Sequence, residues 1–142
     1  MDSVNINDEA FINSEAFQEF MKNNPGHGFL KIRASSASEA VPISGVEIIV
    51  SNVIDNKRVI FFEGITDNSG MINGIELPTP SVISDILDVP NAITYDVEAI
   101  YNPDGIDRKY KVLMYPNVVV VQYINIIPDI KVSYFGDDLN GR

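Results

Sequence analysis

Three polar residues stand in the order that an intramolecular isopeptide bond requires. Such a bond joins a lysine amine to an asparagine side chain with help from a carboxylic acid, and Lys31, Glu98 and Asn125 supply these groups on three separate predicted strands. Alternation along each strand counts against them, because their apolar neighbours would face the core and the polar side chains would then face outward. An intact mass tests the bond, since each isopeptide releases one ammonia.

The chain lacks the side chains that most other enzymatic mechanisms and metal sites require. The single histidine, His27, lies in the segment NPGHG, where we expect an exposed loop residue, and the chain has no cysteine. A Ser-His-Asp triad or a zinc site requires a well-placed histidine. Asp104 and Asp107 are close in sequence, but they flank a predicted turn, where Asp is common. The sequence therefore predicts no catalytic residue, no metal site and no cofactor.

Composition narrows the class of protein and of partner. The chain has 142 residues, of which 45% are hydrophobic and 21% charged, which is typical of one globular domain. Its net charge of -10 argues against nucleic acid and against an anionic membrane surface. The acidic N-terminus has no apolar run after it, so we expect synthesis in the cytoplasm without a signal peptide, with later incorporation into a particle or spore left open.

One short helix is predicted near the N-terminus. It begins after an N-cap at Asn13 or Ser14 and ends at the segment NPG, residues 24–26. A helix of about ten residues is marginal in isolation, so its apolar face must dock either on its own domain or on a neighbouring subunit. Both interpretations stay open from the sequence. The apolar face consists of Ile12, Ala16, Phe17, Phe20 and Met21.

Seven short strands follow, separated by turn signals and without alternating helices. This pattern predicts an all-β fold, a seven-stranded antiparallel β-sandwich. We expect an N-terminal acidic segment with the short amphipathic helix at 1–26, the sandwich domain at 27–128 and a C-terminal tail at 129–142, with the first nine residues poorly ordered. The predicted strands are 28–35, 45–52, 58–65, 75–77, 93–101, 109–114 and 118–127, with Asn73 and Gly74 at a bulge or bend. The residues predicted to face inward are Leu30, Ile32, Ala34, Val46, Ile48, Val50, Val97, Ala99, Ile124 and Ile126.

Several strings within these strands resemble a known group of domains. The order of a Pro-x-x-Gly-Val entry, a Thr-Asp-x-x-Gly turn and two later strands is similar to the carboxypeptidase-regulatory-like group of transthyretin-like sandwiches, and to the N-terminal domain of spore cortex-lytic enzymes. The resemblance covers residues 28–128 and implies a transthyretin-like fold. Transthyretin-like hydrolases of ureides use several histidines and a C-terminal motif that DDLNGR does not match. The strings are PISGVEIIV, TDNSG, IELPTP, YDVEAI and VVVVQYINIIP.

Apolar segments outside the sandwich point to protein partners. Neither the helix nor the tail can bury its apolar side chains alone, and the run 118–122 would be hazardous as an exposed edge, so it is central or paired with another chain. The partner-binding residues predicted on this basis are Phe17, Phe20, Met21, Val132, Tyr134 and Phe135.

We therefore expect a non-enzymatic structural or adaptor subunit of a larger assembly, such as a virion, a spore layer or a surface filament. Its partners would be copies of itself or the proteins of a host assembly, bound through the helix, the tail and the strand edges. The alternative is a module that binds peptidoglycan or another glycan, or regulates an enzyme, through the loop 79–91. A hydrolase is a remote third hypothesis, since a fold alone confers no activity.

Overall fold

The computed structural model describes residues 2–36, 41–81 and 91–126 of the chain. A single turn of 3-10 helix covers Asn102–Asp104. In chain order the other elements are β1 Ser3–Asn5, α1 Glu9–Ile12, α2 Glu15–Asn23, β2 Gly26–Ser36, β3 Val41–Pro42, β4 Glu47–Ile54, β5 Lys57–Ile65, β6 Met71–Thr79, β7 Ile93–Tyr101, β8 Ile106–Met114 and β9 Val119–Asn125.

The strands form two sheets that enclose one main core, so the predicted all-β sandwich is confirmed. The first sheet has the order β1-β5-β4-β7-β8; in the second, β2 pairs with β3 and β6 and also with β9. The seven long strands are those predicted, and β1 and β3 are short additions. Two pairs, β1 with β5 and β2 with β9, are parallel, unlike the purely antiparallel prediction. The parallel β2–β9 pair arises because the chain changes sheet after β8, so β9 is not the return strand of a hairpin.

The predicted inward-facing residues are confirmed by their burial. Alternate residues of each long strand lie between the sheets, as the period of two requires. Lys31 and Glu98, which lie between such residues, are only partly buried. The predicted inward residues with an exposure of 2% or less are Leu30, Ile32, Ala34, Val46, Ile48, Val50, Val97, Ala99, Ile124 and Ile126.

Two β-bulges adjust the alternation locally. Gly74 has φ +72° in the middle of β6, where the register with β2 shifts, which confirms the predicted bulge at Asn73 and Gly74. A second shift between Val50 and Ser51 leaves Phe61 without a directly paired residue on β4. Both Phe61 and Phe62 therefore pack against the core, whereas a regular strand would have turned one of them outward.

The N-terminal helix forms where the sequence predicts it. Helix α2 covers Glu15–Asn23, and the Oγ of its N-cap Ser14 accepts a hydrogen bond from the backbone N–H of Phe17 at 3.2 Å. Glu15 places a negative charge in the first turn and Lys22 a positive charge in the last, as the helix dipole favours. At the other end, the buried Asn24 donates a side-chain hydrogen bond to the carbonyl of Phe20.

The helix docks on its own domain, the first of the two interpretations left open from the sequence. This burial corrects the prediction that Phe17 binds a partner, whereas the predicted roles of Phe20 and Met21 stay predictions. Phe17 is only 6% exposed, and Phe20 and Met21 are partly buried. They join a second apolar cluster in which the helices contact β4 and β5 through Ile54 and Val59. This docking satisfies the apolar face of a helix that is too short to be stable by itself.

Residues 2–9 are also more structured than predicted. Strand β1 pairs in parallel with β5, matching Ser3 with Arg58 and Asn5 with Ile60. Asp8 then caps α1 through its Oδ1, which accepts from the N–H of Phe11. The polar composition suggested disorder, but Val4 and Ile6 contribute to the second cluster and hold this segment on the sheet edge.

A continuous row of aromatic rings joins the two clusters. Phe11 and Phe17 lie 5.4 Å apart between ring centroids, Phe17 and Phe20 6.2 Å, Phe20 and Phe61 5.7 Å, and Phe61 and Tyr95 5.3 Å. These separations are typical of attractive aromatic pairs. The row ends at Tyr95, whose ring is fully buried and whose hydroxyl donates to the carbonyl oxygen of Pro78 at 2.6 Å.

Replacing Tyr95 with Phe is expected to lower the free energy of unfolding by about 1 to 3 kcal/mol, because the buried carbonyl of Pro78 loses its donor. Burial also raises the pKa of the Tyr95 phenol above its ordinary range. The contribution of its proton to stability is therefore complete below about pH 10, the unfolded value, and declines as the pH rises toward the folded one.

Urea unfolding at pH 8 and at about pH 10.5 tests both statements about Tyr95. Wild type should lose more stability between the two pH values than Y95F does, since the variant has no phenol to ionise. Equal losses in the two proteins would show that the Tyr95 proton is not linked to folding.

Candidate functional site

The outer side of strand β9 presents backbone groups that no strand in the described ranges pairs with. The carbonyl of Val118 accepts from Phe29 at 3.0 Å, and the N–H of Ile126 donates to Ser35 at 2.8 Å, so even-numbered residues face β2. Since backbone groups alternate along a strand, the N–H and C=O of Val119, Val121 and Tyr123 point away from β2. This outward side of β9 is called the β9 edge below.

Side chains at the β9 edge are apolar and exposed. Val119 is 63% exposed, Val121 38% and Tyr123 45%. The pairing of β9 with β2 runs from Val119 to Asn125 without a register shift, so the strand is regular along its whole length. One carbonyl, that of Tyr123, accepts a hydrogen bond from the Gln122 side chain at 3.0 Å. The β9 edge therefore combines a regular backbone with three exposed apolar or aromatic side chains.

The other sheet edges in the described ranges carry features that discourage pairing. Natural proteins protect edges with charges, proline, bulges or very short strands. Strand β8 carries Asp107, Lys109 and Lys111; β6 contains Pro78 and the bulge at Gly74; β1 and β3 have three and two residues. Strand β9 contains no charged residue and no proline. Among these edge strands, β9 alone lacks such protection; the part of β5 that β1 leaves open, residues 61–65, carries Glu63.

Two cations lie beside the β9 edge on the same outer face. Lys31 pairs in register with Val121, and Arg33 with Tyr123. The Arg33 guanidinium is 5.9 Å from the centre of the Tyr123 ring, a cation–π distance. Glu76 of β6 projects from the same outer face beside His27, on the far side of β2, so the charged residues next to β9 are the two cations. Alternation indicated that both face outward, but it could not show that β9 lies next to them.

The candidate isopeptide residues are not brought together. Lys31 and Asn125 lie in the second sheet, whereas Glu98 lies on β7 of the first sheet, and its Oε1 accepts from Arg58 Nη2 at 3.1 Å. The inward-facing residues on either side of each confirm that all three project from outer faces. Because Glu98 is on the opposite side of the sandwich, it cannot assist a reaction between the other two.

The first sheet carries a shallow groove of about 680 Å³ on its outer face. Two ion pairs cross it, Arg58 with Glu98 and Lys111 with Asp96, and a third cation, Lys109, also lines it. His27, predicted as an exposed loop residue, is exposed but belongs to β2, and its Nδ1 lies 2.8 Å from Glu76. Within the described ranges, no three His, Asp or Glu residues are grouped as metal ligands.

The described ranges do not include the tail or most of the loop 79–91. Val132, Tyr134 and Phe135 of the tail, and residues 82–90 of the loop 79–91, lie outside the described residues. Their roles stay predictions from the sequence. In the described part of the chain, no helix has the length and apolar character needed to cross a membrane.

Comparisons with known proteins concern the fold alone. No family model matches the chain, and no curated protein matches its sequence. Among solved structures it is similar to 5-hydroxyisourate hydrolase of Klebsiella pneumoniae, with 14% identity, a TM-score of 0.42, and coverage of 72% of this chain and 92% of that one. It is also similar to transthyretin of Sparus aurata, with 17% identity, a TM-score of 0.40, and coverage of 68% and 90%. At these values the sandwich is assigned from the chain's own strand pairing, and neither neighbour indicates an activity.

Proposed function

We propose that the protein is a non-enzymatic structural or adaptor subunit that joins a larger protein assembly through its β9 edge. The observation that carries this proposal is the exposed pairing side of β9, with Val119, Val121 and Tyr123 presenting both backbone groups and apolar side chains. An added strand would satisfy the backbone groups and cover the side chains in one step, which is how strand addition provides affinity.

The docking of the helix on its own domain supports β9 as the principal contact. Because Phe17 is buried within its own domain, α2 is not available as the principal contact, and the strand edge and tail are the remaining segments predicted to bind. The sequence resembles carboxypeptidase-regulatory-like domains, and such sandwiches are attached to larger proteins. This resemblance also supports a role as a subunit or adaptor. No observation in the described residues favours the alternative of glycan binding by the loop 79–91.

Replacing Val121 with Lys is expected to weaken association at least about tenfold, because pairing at the edge would then bury an uncompensated charge. The free energy of unfolding should change by less than about 1 kcal/mol, since Val121 is already exposed and the new lysine would lie opposite one like charge, Lys31. The measurement is size-exclusion chromatography with light scattering over a concentration series, together with urea unfolding of each variant.

Leu113→Lys is the matched control, because Leu113 is a similarly exposed aliphatic residue on the charged edge strand β8. This control should assemble as wild type does. The proposal fails if the wild-type chain remains at its single-chain mass of 15.7 kDa at every concentration. It also fails if V121K and L113K assemble equally well.

A further inference from the structure

We infer that the occupant of the β9 edge is the tail of a second copy, specifically residues 130–135. This inference rests on the proposed function and names the partner of the same site. Each copy would receive a tail on its β9 edge and donate its own tail to the next copy. The contact would then be head-to-tail, which builds rings or open filaments and does not stop at a symmetric dimer.

The sequence of the tail suits the edge that it would occupy. The string IKVSYF at residues 130–135 alternates Ile130, Val132 and Tyr134 with Lys131 and Ser133, which is the pattern of a strand with one apolar face. The β9 edge presents an apolar row of the same period on its outer face. Pairing would place two apolar rows side by side, the arrangement that stabilises cross-strand neighbours.

Charge also favours this occupant. The tail contains Asp129, Asp137 and Asp138 against Lys131 and Arg142, and the outer face beside β9 carries Lys31 and Arg33. An incoming segment with acidic residues on both sides of its apolar run would meet these cations. Such charge complementarity contributes more to the specificity of binding than to its affinity.

Pro128 disfavours the shortest route by which the tail could return to the β9 edge of its own chain. The described residues end at Ile126, and a tight return onto the same β9 would place Pro128 and Asp129 in a two-residue hairpin loop. Such loops need a positive φ at their first position, whereas proline is restricted to about −65°. A two-residue hairpin in the same chain is therefore disfavoured, and a return onto the same β9 would need a longer loop.

The absence of cysteine from the chain permits a direct test with single-cysteine variants. Full-length V121C carries its cysteine on the β9 edge, and full-length Y134C carries it on the tail. The two proteins, one with a mass tag, are mixed and treated with a short bismaleimide cross-linker. The length of the linker tolerates small offsets in register. We expect a mixed cross-linked pair at about ten times the yield obtained from L113C mixed with Y134C. A synthetic peptide of residues 129–142 in excess should suppress this product and shift wild-type assemblies toward single-chain mass.

The outcomes separate the inference from the proposed function. If wild type assembles but V121C and Y134C do not cross-link and the peptide has no effect, another segment occupies the edge and the inference is overturned, while the proposed function stands. If the double variant V121C/Y134C cross-links only within single chains, the tail covers its own edge, and both are overturned. If wild type never assembles, the proposed function itself fails.

Discussion

Replacing Phe17 with Ala is expected to lower the free energy of unfolding by about 3 to 4 kcal/mol, within the range for buried aromatic residues truncated to Ala. Phe17 is 6% exposed, and its ring contacts those of Phe11 and Phe20 in the row that reaches Tyr95. Truncation would leave a cavity between the helices and the sheet and interrupt this row. Urea unfolding of the purified variant measures the loss.

Glu19→Ala provides the matched control for Phe17→Ala, since Glu19 lies on the exposed side of the same helix. Alanine is a good helix former, so this variant should stay within about 0.5 kcal/mol of wild type. If Phe17 served a partner and not its own domain, F17A would unfold as wild type does. A loss below about 1 kcal/mol would contradict the docking seen here.

Replacing Gly70 with Ala is expected to destabilise the protein by about 3 to 5 kcal/mol, the combined effect of left-handed backbone strain and a steric overlap. Gly70 has φ +73°, and an added Cβ would overlap the carbonyl oxygen of Ala34. Its own carbonyl accepts from the N–H of Ala34 at 2.7 Å, so the turn cannot move away without losing a hydrogen bond. Thermal or urea unfolding measures the effect.

The two contributions can be separated with Gly74. Gly74 has almost the same φ, +72°, but a Cβ there would meet no atom within 4 Å. Gly74→Ala should therefore cost only the backbone strain, about 1 to 2 kcal/mol. Equal losses at the two positions would show that the contact with Ala34 does not constrain the turn.

The docking of the helix changes where an assembly contact has to be sought. The sequence offered three apolar segments for partners, namely the helix, the tail and the run 118–122. With Phe17 buried and Phe20 in contact with Phe61, the helix instead completes the domain. In the proposed assembly, the exposed residues of β9 are then the principal contact surface, and the tail of a second copy is the proposed partner.

The sequence by itself determined the local structure of this protein. It predicted helix α2 within a residue of its observed start, strand β7 at its observed bounds, the bulge at Gly74 and the inward residues of the long strands. It also predicted that Lys31 and Asn125 project outward. These features depend on neighbours a few residues apart, through capping groups, turn residues and the alternation of side chains along a strand.

Only the tertiary structure decided which segments lie beside one another. It placed β9 parallel to β2 at an edge, added β1 to β5, docked Phe17 on its own sheet and set Glu98 on the opposite face from Lys31. The sequence showed that the run 118–122 must be either central or paired, but it could not choose between these positions. Strand neighbours are determined by contacts between residues far apart in the chain, and alternation within one strand is the same whichever strand lies beside it.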